Sequence, residues 1–233
     1  MDDEGRLAAL ARAAVNLVEP GMVVGLGTGS TATAFVRELG ARVAAGLEIV
    51  GVPTSSRTAA LARDLRIPLR ALDEVERLDL GVDGADEIAP NLDLVKGRGG
   101  ALLHEKMVAL ACDDYAVIAA DEKLVPSLGT RSSLPVEVVP FGWRQTVARL
   151  AALGVRPVLR RGTGGKTGDD VFRSDGGHFV VDCETGPIAD PERLAVSVKA
   201  VPGVVDHGLF LGVARRALVT EVDGTVRTLI RSA

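Results

Sequence analysis

The sequence contains a predicted helix that begins directly after a cationic, glycine-rich loop and carries a glutamate in its first turns. The loop spans residues 96–100 and reads Lys-Gly-Arg-Gly-Gly, and the helix is predicted from Ala101 to Ala111. A glutamate near a helix N-terminus is kept ionised by the helix dipole, and a nearby lysine can stabilise negative charge that develops on oxygen. Glu105 is therefore a candidate general base. The alternative is an ordinary surface pair of Glu105 with Lys106, and His104 alone is more typical of a helix face.

A second candidate segment places three acidic residues in a loop that follows the apolar strand predicted from Leu78 to Val82. The loop reads Asp83-Gly84-Ala85-Asp86-Glu87. Carboxylates crowded at a strand end can bind a metal, contact sugar hydroxyls, or act as acid and base with separated pKa values. An all-oxygen magnesium site is the second interpretation, since no histidine lies at ligand spacing. An exposed Asx turn without function is the third.

A third segment has the composition of a phosphate-binding turn. A predicted strand from Met22 to Leu26 is followed by Gly27-Thr28-Gly29-Ser30-Thr31 and a helix from Ala32 to Leu39. Small residues let backbone N–H groups approach an anion at a helix N-terminus, and the hydroxyls add donors. A dinucleotide fingerprint counted from Gly25 would require a third glycine where the sequence has Ser30. A tight turn without a ligand is the remaining alternative.

Two further segments carry a lysine that is a candidate for phosphate binding. Lys123 follows a strand predicted from Tyr115 to Ala120, at the sheet edge where ligands collect, and could contact a phosphate. The tripeptide at 165–167, Gly-Lys-Thr, resembles the end of a P-loop, but Arg160 stands where that motif requires a glycine. Residues 163–165 are predicted to form only a loop between strands.

The elements that must position these residues alternate between strand and helix. This pattern predicts an α/β fold with a Rossmann-like, mostly parallel sheet and helices on both faces, and ligands in such sheets bind beyond the carboxyl ends of the strands. Residues 130–207 have a different pattern, which predicts a small α+β domain of the ferredoxin-like β-α-β-β-α-β type. The predicted domains are thus a catalytic unit of residues 1–129 and 208–233, and a small domain that takes part in oligomerisation.

Composition limits the class of protein further. The 233 residues are 47% hydrophobic, and 27 Lys+Arg against 31 Asp+Glu give a formal net charge of -4, which argues against a nucleic-acid partner. The two cysteines, Cys112 and Cys183, are too few for a disulfide framework or a zinc cluster. The N-terminal residues lack the features of a secretory signal, and no apolar run reaches the roughly 18 residues that span a membrane. We therefore expect a cytoplasmic protein without a membrane partner.

Taken together, several segments resemble ribose-5-phosphate isomerase type A. They occur in order over most of the chain and read GLGTGSTA, Thr54-Ser55-Ser56, DLGVDGADEI, KGRGGALLHEK, LPVEVVPFGW and PGVVDHGLF. The resemblance implies a two-domain α/β fold and homo-oligomers, either dimers or tetramers. It also implies conversion of ribose 5-phosphate to ribulose 5-phosphate through an enediol, in the non-oxidative branch of the pentose phosphate pathway, without a metal or other cofactor.

The resemblance also assigns individual residues. The catalytic set that it implies is Glu105, Asp83, Asp86 and Lys96. The substrate-binding set that it implies is Thr28, Gly29, Ser30, Thr31, Asp83, Gly84, Ala85, Asp86, Lys96, Gly97, Arg98, Gly99 and Lys123. The sequence departs from the family pattern at Arg98, where glycine is common, and at Glu122, where the family has serine.

The sequence is also compatible with functions of other classes. A sugar-phosphate sensor would bind the same ligand without turnover, but such regulators carry an N-terminal DNA-binding helix-turn-helix, and only about twenty residues precede the first predicted strand. A sugar-phosphate deaminase or a CoA transferase of related architecture would need other site residues.

Overall fold

The computed structural model describes residues 2–162 and 170–232 of the chain. Its helices are α1 (Asp3–Val15), α2 (Ser30–Ala44), α3 (Ser56–Asp64), α4 (Leu102–Leu110), α5 (Trp143–Ala151) and α6 (Pro191–Lys199). Its strands are β1 (Val23–Leu26), β2 (Val50–Pro53), β3 (Leu78–Asp83), β4 (Glu87–Ile88), β5 (Leu94–Val95), β6 (Cys112–Ala120), β7 (Leu134–Val138), β8 (Arg156–Leu159), β9 (Phe179–Glu184), β10 (Val204–His207), β11 (Leu209–Phe210), β12 (Arg216–Thr220) and β13 (Val226–Ile230). The loop predicted at 163–165 and the tripeptide at 165–167 lie outside the described residues.

The described chain forms two compact units, and the first comprises Met1–Ala85, His104–Leu124 and Gly212–Ala233. It contains a six-stranded sheet in the order β13-β12-β6-β3-β1-β2. All neighbouring strands in this sheet are parallel except β12 and β13. The predicted Rossmann-like, mostly parallel sheet is therefore confirmed.

Helices cover both faces of this sheet. On one face, Phe35 and Leu39 of α2 are fully buried in a cluster with Leu26, Val82 and Ile118 of the strands, and the apolar face of α1 joins the same cluster. On the opposite face, Val108 of α4 packs in a smaller cluster with Val52 and Leu78. Helix α4 carries Glu105, so this packing holds the candidate base against the sheet.

The second unit comprises Asp86–Leu103 and Val125–Leu211. Strands β7, β8, β9 and β10, with α5 and α6 between them, follow the β-α-β-β-α-β order, and the sheet is antiparallel in the order β10-β7-β9-β8. This is the ferredoxin-like arrangement that the sequence predicts. A separate three-stranded sheet in the order β11-β5-β4 belongs to the same unit.

The bounds of the two units differ from the predicted domain bounds at three places. Residues 125–129, predicted in the catalytic domain, belong to the second unit. Residues 86–103 belong to the second unit, because β4 and β5 form a hairpin that pairs with β11 rather than with the main sheet. Residues 208–211 also stay in the second unit, since β11 supplies the partner that the short strand β5 needs. The chain returns to the main sheet only with β12, which pairs parallel to β6.

No helix within the described residues is long and apolar enough to cross a membrane.

Candidate active site

The carboxyl end of β1 leads into an open helix N-terminus. The loop after Leu26 ends at Gly29, whose φ of 115° favours glycine, and α2 starts at Ser30. Because Gly29 has no side chain to cap the helix, the first N–H groups of α2 are available to a bound anion. Ser30 and Thr31 add hydroxyl groups to this first turn. A phosphate is the anion that such a turn suits best.

A buried cluster of hydroxyl groups stabilises the loop between β1 and α2 on its protein-facing side. The Thr28 Oγ1 atom lies 2.7 Å from Thr54 Oγ1, 2.8 Å from Ser55 Oγ and 3.2 Å from Thr58 Oγ1. The Thr58 hydroxyl in turn donates to the carbonyl of Gly27 at 2.9 Å. Thr28 is a predicted substrate contact. Its side-chain hydroxyl is hydrogen-bonded within this cluster, and it therefore stabilises the loop from the buried side.

Asp83 ends the neighbouring strand β3 and is only 1% exposed. Its Oδ1 atom accepts hydrogen bonds from the backbone N–H groups of Thr28 at 3.1 Å and Gly84 at 2.7 Å. A Cβ built on Gly27 would lie 2.2 Å from Asp83 Oδ1. The two predicted loops are therefore in direct contact through this carboxylate. Gly84 also lies beside Thr31, since a Cβ built on Gly84 would be 3.6 Å from Thr31 Cβ.

Glu105 lies in the first turns of α4 and is 2% exposed. Val108, one turn later on the same helix face, approaches β1 so closely that a Cβ built on Gly25 would lie 2.7 Å from its Cγ1 atom. The absence of a side chain at Gly25 lets α4, the helix that carries Glu105, pack close to the sheet. A glutamate that is buried in this way is a candidate for proton transfer.

Tyr115, on β6, is a site residue that the sequence did not single out. Its hydroxyl donates to Asp83 Oδ2 at 3.3 Å. Burial, and then the negative charges of Asp83 and Glu105, raise the pKa of Tyr115 well above its ordinary value. The phenol of Tyr115 thus joins β6 to the carboxylate that ends β3. The available signal was that Tyr115 is the single tyrosine of the chain, but its place opposite Gly81 follows from strand register, which the sequence does not give.

Lys123 ends a short 3-10 turn at the carboxyl end of β6, next to the strand that ends in Asp83. Arg6 of α1 holds this turn, since its Nη2 atom lies 2.6 Å from Asp121 Oδ1 and 3.4 Å from Glu122 Oε2. Glu122, where the family has serine, is thus an ion-pair partner of Arg6. Lys123 is half-buried at the same edge of the sheet as the loops of β1 and β3.

The remaining predicted residues, Asp86, Lys96, Gly97, Arg98 and Gly99, belong to the second unit. Lys96 is 2% exposed, its backbone N–H donates to the Gly208 carbonyl at 2.8 Å, and its Nζ atom lies 5.5 Å from the centre of the Phe210 ring. Gly97 has a φ of 110°, a conformation that favours glycine. Arg98 does not have a positive φ, so a side chain at this position causes no backbone strain. Its N–H donates to Asp86 Oδ2 at 2.9 Å.

Arg160 directly follows β8 and binds the loop that contains Gly97 and Arg98. Its Nη1 atom donates to the carbonyls of these two residues at 3.0 and 3.1 Å, and its other nitrogens pair with the carboxylate of Asp182. No local sequence pattern predicts this link, which joins positions more than sixty residues apart.

Glu87, the third acidic residue of the segment at 83–87, has a structural role. It is fully buried, and its two carboxylate oxygens accept hydrogen bonds from the backbone N–H groups of Gly129, Arg131 and Ser132 at 2.5 to 2.7 Å.

Within residues 2–162 and 170–232, no three His, Cys, Asp or Glu side chains are grouped so as to hold a metal ion.

The parallel sheet has an uncapped helix start after β1 and a hydrogen-bonded aspartate at the end of β3, and α4 carries a buried glutamate. This arrangement is typical of α/β proteins that bind small anionic ligands at their strand ends. Comparison with known proteins identifies the family. The family model for ribose 5-phosphate isomerase A (phosphoriboisomerase A) matches residues 50–224. Ribose-5-phosphate isomerase A of Roseiflexus castenholzii is 52% identical over 228 residues, which cover 97% of this chain and 96% of that protein.

Solved structures agree with this result. Ribose 5-phosphate isomerase A from Methanocaldococcus jannaschii superimposes with a TM-score of 0.91 at 37% identity, covering 98% of this chain and all of that one. A D-ribose-5-phosphate isomerase in complex with phospho-erythronic acid gives a TM-score of 0.93 at 36% identity, covering 99% of this chain and all of that one. The chain belongs to the ribose 5-phosphate isomerase A family.

Proposed function

We propose that this protein is an aldose-ketose isomerase that interconverts D-ribose 5-phosphate and D-ribulose 5-phosphate, with Glu105 as the residue that moves the proton. The observation that carries the proposal is the burial of the Glu105 carboxylate on α4, in a chain whose relatives at about half identity are named as isomerases for this substrate. A carboxylate in a buried site can serve as a general base, a step that typically contributes roughly 10² to 10⁴-fold to the rate.

The reaction requires one proton to move between two adjacent carbons. In the open-chain aldose, the C2–H bond is acidic because it lies next to the C1 carbonyl. Glu105 removes this proton to give an enediolate and then returns it to C1, while the hydroxyl proton on O2 moves to O1. Lys96, with Asp83 or Asp86, carries the proton between the two oxygens and stabilises the negative charge of the enediolate. One carboxylate on one face of the sugar therefore performs both transfers.

Asp83 is proposed to assist opening of the furanose ring, the form that dominates in solution. Opening moves the proton of the C1 hydroxyl and returns a proton to the ring oxygen, so a fixed carboxylate that accepts hydrogen bonds is suited to this step. The backbone donors on Asp83 Oδ1 hold it in one orientation.

The 5-phosphate is proposed to bind the first turn of α2, with Gly29, Ser30 and Thr31 as contacts and Lys123 as a charged partner. Gly84 and Ala85, beside that turn, and Gly97, Arg98 and Gly99 are proposed to contact the sugar. Binding energy from the phosphate holds C1 and C2 against the base. The family structure with phospho-erythronic acid supports this proposal, since that ligand combines a phosphate with a carboxylate, which has the shape and charge of an enediolate.

We further propose a cytoplasmic homo-oligomer, a dimer or a tetramer, acting in the non-oxidative branch of the pentose phosphate pathway. Its partner is the small sugar phosphate, with no nucleic acid and no membrane.

The test is an assay of ribulose 5-phosphate formation with wild-type protein and Glu105→Gln. The variant is expected to bind ribose 5-phosphate with an affinity within about threefold of wild type in calorimetry, and to lose at least about 99% of turnover, since only the base is removed. The matched control is Glu192→Gln, which changes an exposed glutamate in the first turn of α6. More than a tenth of wild-type activity in Glu105→Gln would exclude Glu105 as the base. Binding without turnover by the wild type would support a sensor instead.

A further inference from the structure

Tyr115 is a buried polar side chain that the proposed reaction does not use. It is 3% exposed, and it is the only tyrosine in the sequence. Its ring lies over Gly81, its register partner on β3, where a Cβ would be 2.7 Å from the ring Cδ2 atom. The space provided by Gly81 fits the ring, and phenylalanine would fill the same space. Packing alone therefore does not explain the hydroxyl. Because burial of an unpaired hydroxyl is unfavourable, the hydroxyl must have a hydrogen-bond partner.

The partner of this hydroxyl is Asp83, two residues beyond Gly81 on the same face of β3. Thr28 and Gly84 donate to Asp83 Oδ1, and Tyr115 donates to Oδ2 at 3.3 Å. The Tyr115 hydroxyl thus adds a donor on the second oxygen, and donors on both oxygens restrict rotation of the carboxylate about its Cβ–Cγ bond.

We infer that Tyr115 is a positioning residue for Asp83, and that its hydroxyl holds the carboxylate in the orientation that opens the furanose ring of the substrate. The inference rests on the proposed function. It adds a residue that the family assignment does not name, and that acts on the substrate only through Asp83.

The surroundings of Tyr115 keep its hydroxyl in the donor form. The titratable groups that face it are Asp83, Glu105 and Cys112, and burial together with their negative charge raises its pKa well above the ordinary value of 10.0. The phenol therefore stays protonated at the pH of any ordinary assay. It donates to Asp83 throughout and does not act as a second base.

The first test is Tyr115→Phe, which removes only the hydroxyl. The expected result is a fall in kcat of roughly 5- to 20-fold, the size of one hydrogen bond to a charged group, with KM changed less than about twofold. In an Asp83→Asn background the same change is expected to have almost no further effect, because Tyr115 acts through Asp83. The matched control is Thr146→Val, which removes a buried hydroxyl bonded to the Pro202 carbonyl in the second unit, and its kcat should equal that of wild type.

Two kinetic outcomes overturn the inference. One is a kcat of Tyr115→Phe within twofold of wild type. The other is a loss of the same factor in both backgrounds, which would mean that the hydroxyl acts independently of Asp83.

A second measurement does not depend on turnover and keeps the hydroxyl of Tyr115 in place. Growth on 3-fluorotyrosine labels Tyr115 alone, so fluorine NMR of the full-length protein gives one resonance. Asp83→Asn is expected to shift this resonance, whereas Glu192→Gln leaves it in place. An unshifted resonance in Asp83→Asn would show that Tyr115 and Asp83 are not coupled. If the wild type fails to isomerise ribose 5-phosphate while the resonance still responds to Asp83→Asn, the proposed function is wrong and the coupling of the two side chains stands.

Discussion

Gly27 and Asp83 are packed so closely that position 27 has no room for any side chain. A Cβ on Gly27 would lie 2.2 Å from Asp83 Oδ1 and 2.6 Å from Asp83 Cβ, well inside van der Waals contact. The glycine of the turn after β1 therefore also defines the position of the carboxylate on the neighbouring strand.

Gly27→Ala is expected to displace Asp83 without changing any reactive group. A displacement of about 1 Å in a catalytic group can lower a rate by about 10²-fold, so kcat for ribose 5-phosphate should fall by at least that factor. The control is Gly162→Ala, because among residues 2–162 and 170–232 the nearest atom to a Cβ there lies at an ordinary 3.5 Å. Activity of Gly27→Ala close to that of the control would contradict the proposed role of Asp83.

Arg160→Lys should impair the loop that carries Arg98 while leaving the fold intact. Lysine keeps the charge but cannot contact two loop carbonyls and the Asp182 carboxylate at once. We expect kcat/KM to fall by roughly 3- to 30-fold. The matched control is Arg156→Lys on the same strand, which alters an exposed pair with Glu184 and should be neutral. Equal kinetics for the two variants would show that the loop does not depend on Arg160.

Glu87→Gln should lower the stability of the fold and leave kcat unchanged. The carboxylate accepts three buried backbone N–H groups, and an amide would present its own N–H groups to some of these donors. The free energy of unfolding in urea is expected to fall by about 2 to 4 kcal/mol. Glu74→Gln, an exposed acceptor of a single N–H group, should change it by less than about 0.5 kcal/mol. A large loss of kcat in folded Glu87→Gln would instead place Glu87 in the reaction.

The two cysteines should be unreactive in the folded protein. Burial, together with the nearby charges of Asp113 and Asp114, raises the pKa of Cys112 from an ordinary 9.0 to about 12, and burial with the charge of Asp182 raises that of Cys183 to about 12. At pH 8.5, alkylation by iodoacetamide is expected to be at least about 100-fold slower than in urea-unfolded protein.

The same shifts predict how stability depends on pH. A pKa that folding raises means that the folded state holds its proton more tightly, so the contribution to stability is complete below pH 9 and is lost as pH rises from about 9 to about 12. A melting temperature that rises over this range would contradict the assignment. Cys112→Ser and Cys183→Ser variants identify which thiol contributes.

Chelation should leave the rate unchanged. Exhaustive treatment with EDTA, followed by assay in metal-free buffer, tests whether the acidic loop after β3 binds a cation. A loss of activity that magnesium restores would support the metal interpretation of Asp83 and Asp86. The proposed reaction needs only side-chain carboxylates and the ammonium group of Lys96.

The sequence predicts those parts of the site that local pattern encodes. A glycine turn between a strand and a helix, acids directly after an apolar strand, and a glutamate in the first turns of a helix are all short-range features, and they lead to Ser30, Asp83 and Glu105. Local patterns do not predict residues whose position depends on pairing between distant segments. Tyr115 is opposite Gly81 only through the β3–β6 register, and Arg160 reaches Gly97 across more than sixty positions.

The same limit applies to the fold. The alternation of strands and helices predicts the parallel sheet, but the pairing of β5 with β11 joins segments more than a hundred residues apart. The use of Glu87 is similar, since a carboxylate that binds three backbone N–H groups of a remote loop has the same local sequence as one that binds a ligand.

The position of β12 has a consequence for how the chain matures during synthesis. In the folded sheet β12 lies between β6 and β13, and both β12 and β13 follow residue 215. Until residues 216–230 leave the ribosome, the nine-residue strand β6 is an apolar edge with unpaired N–H and C=O groups, a template for association with other nascent chains. A stop codon at position 216 would thus yield an aggregating product, even though every proposed catalytic side chain would still be encoded.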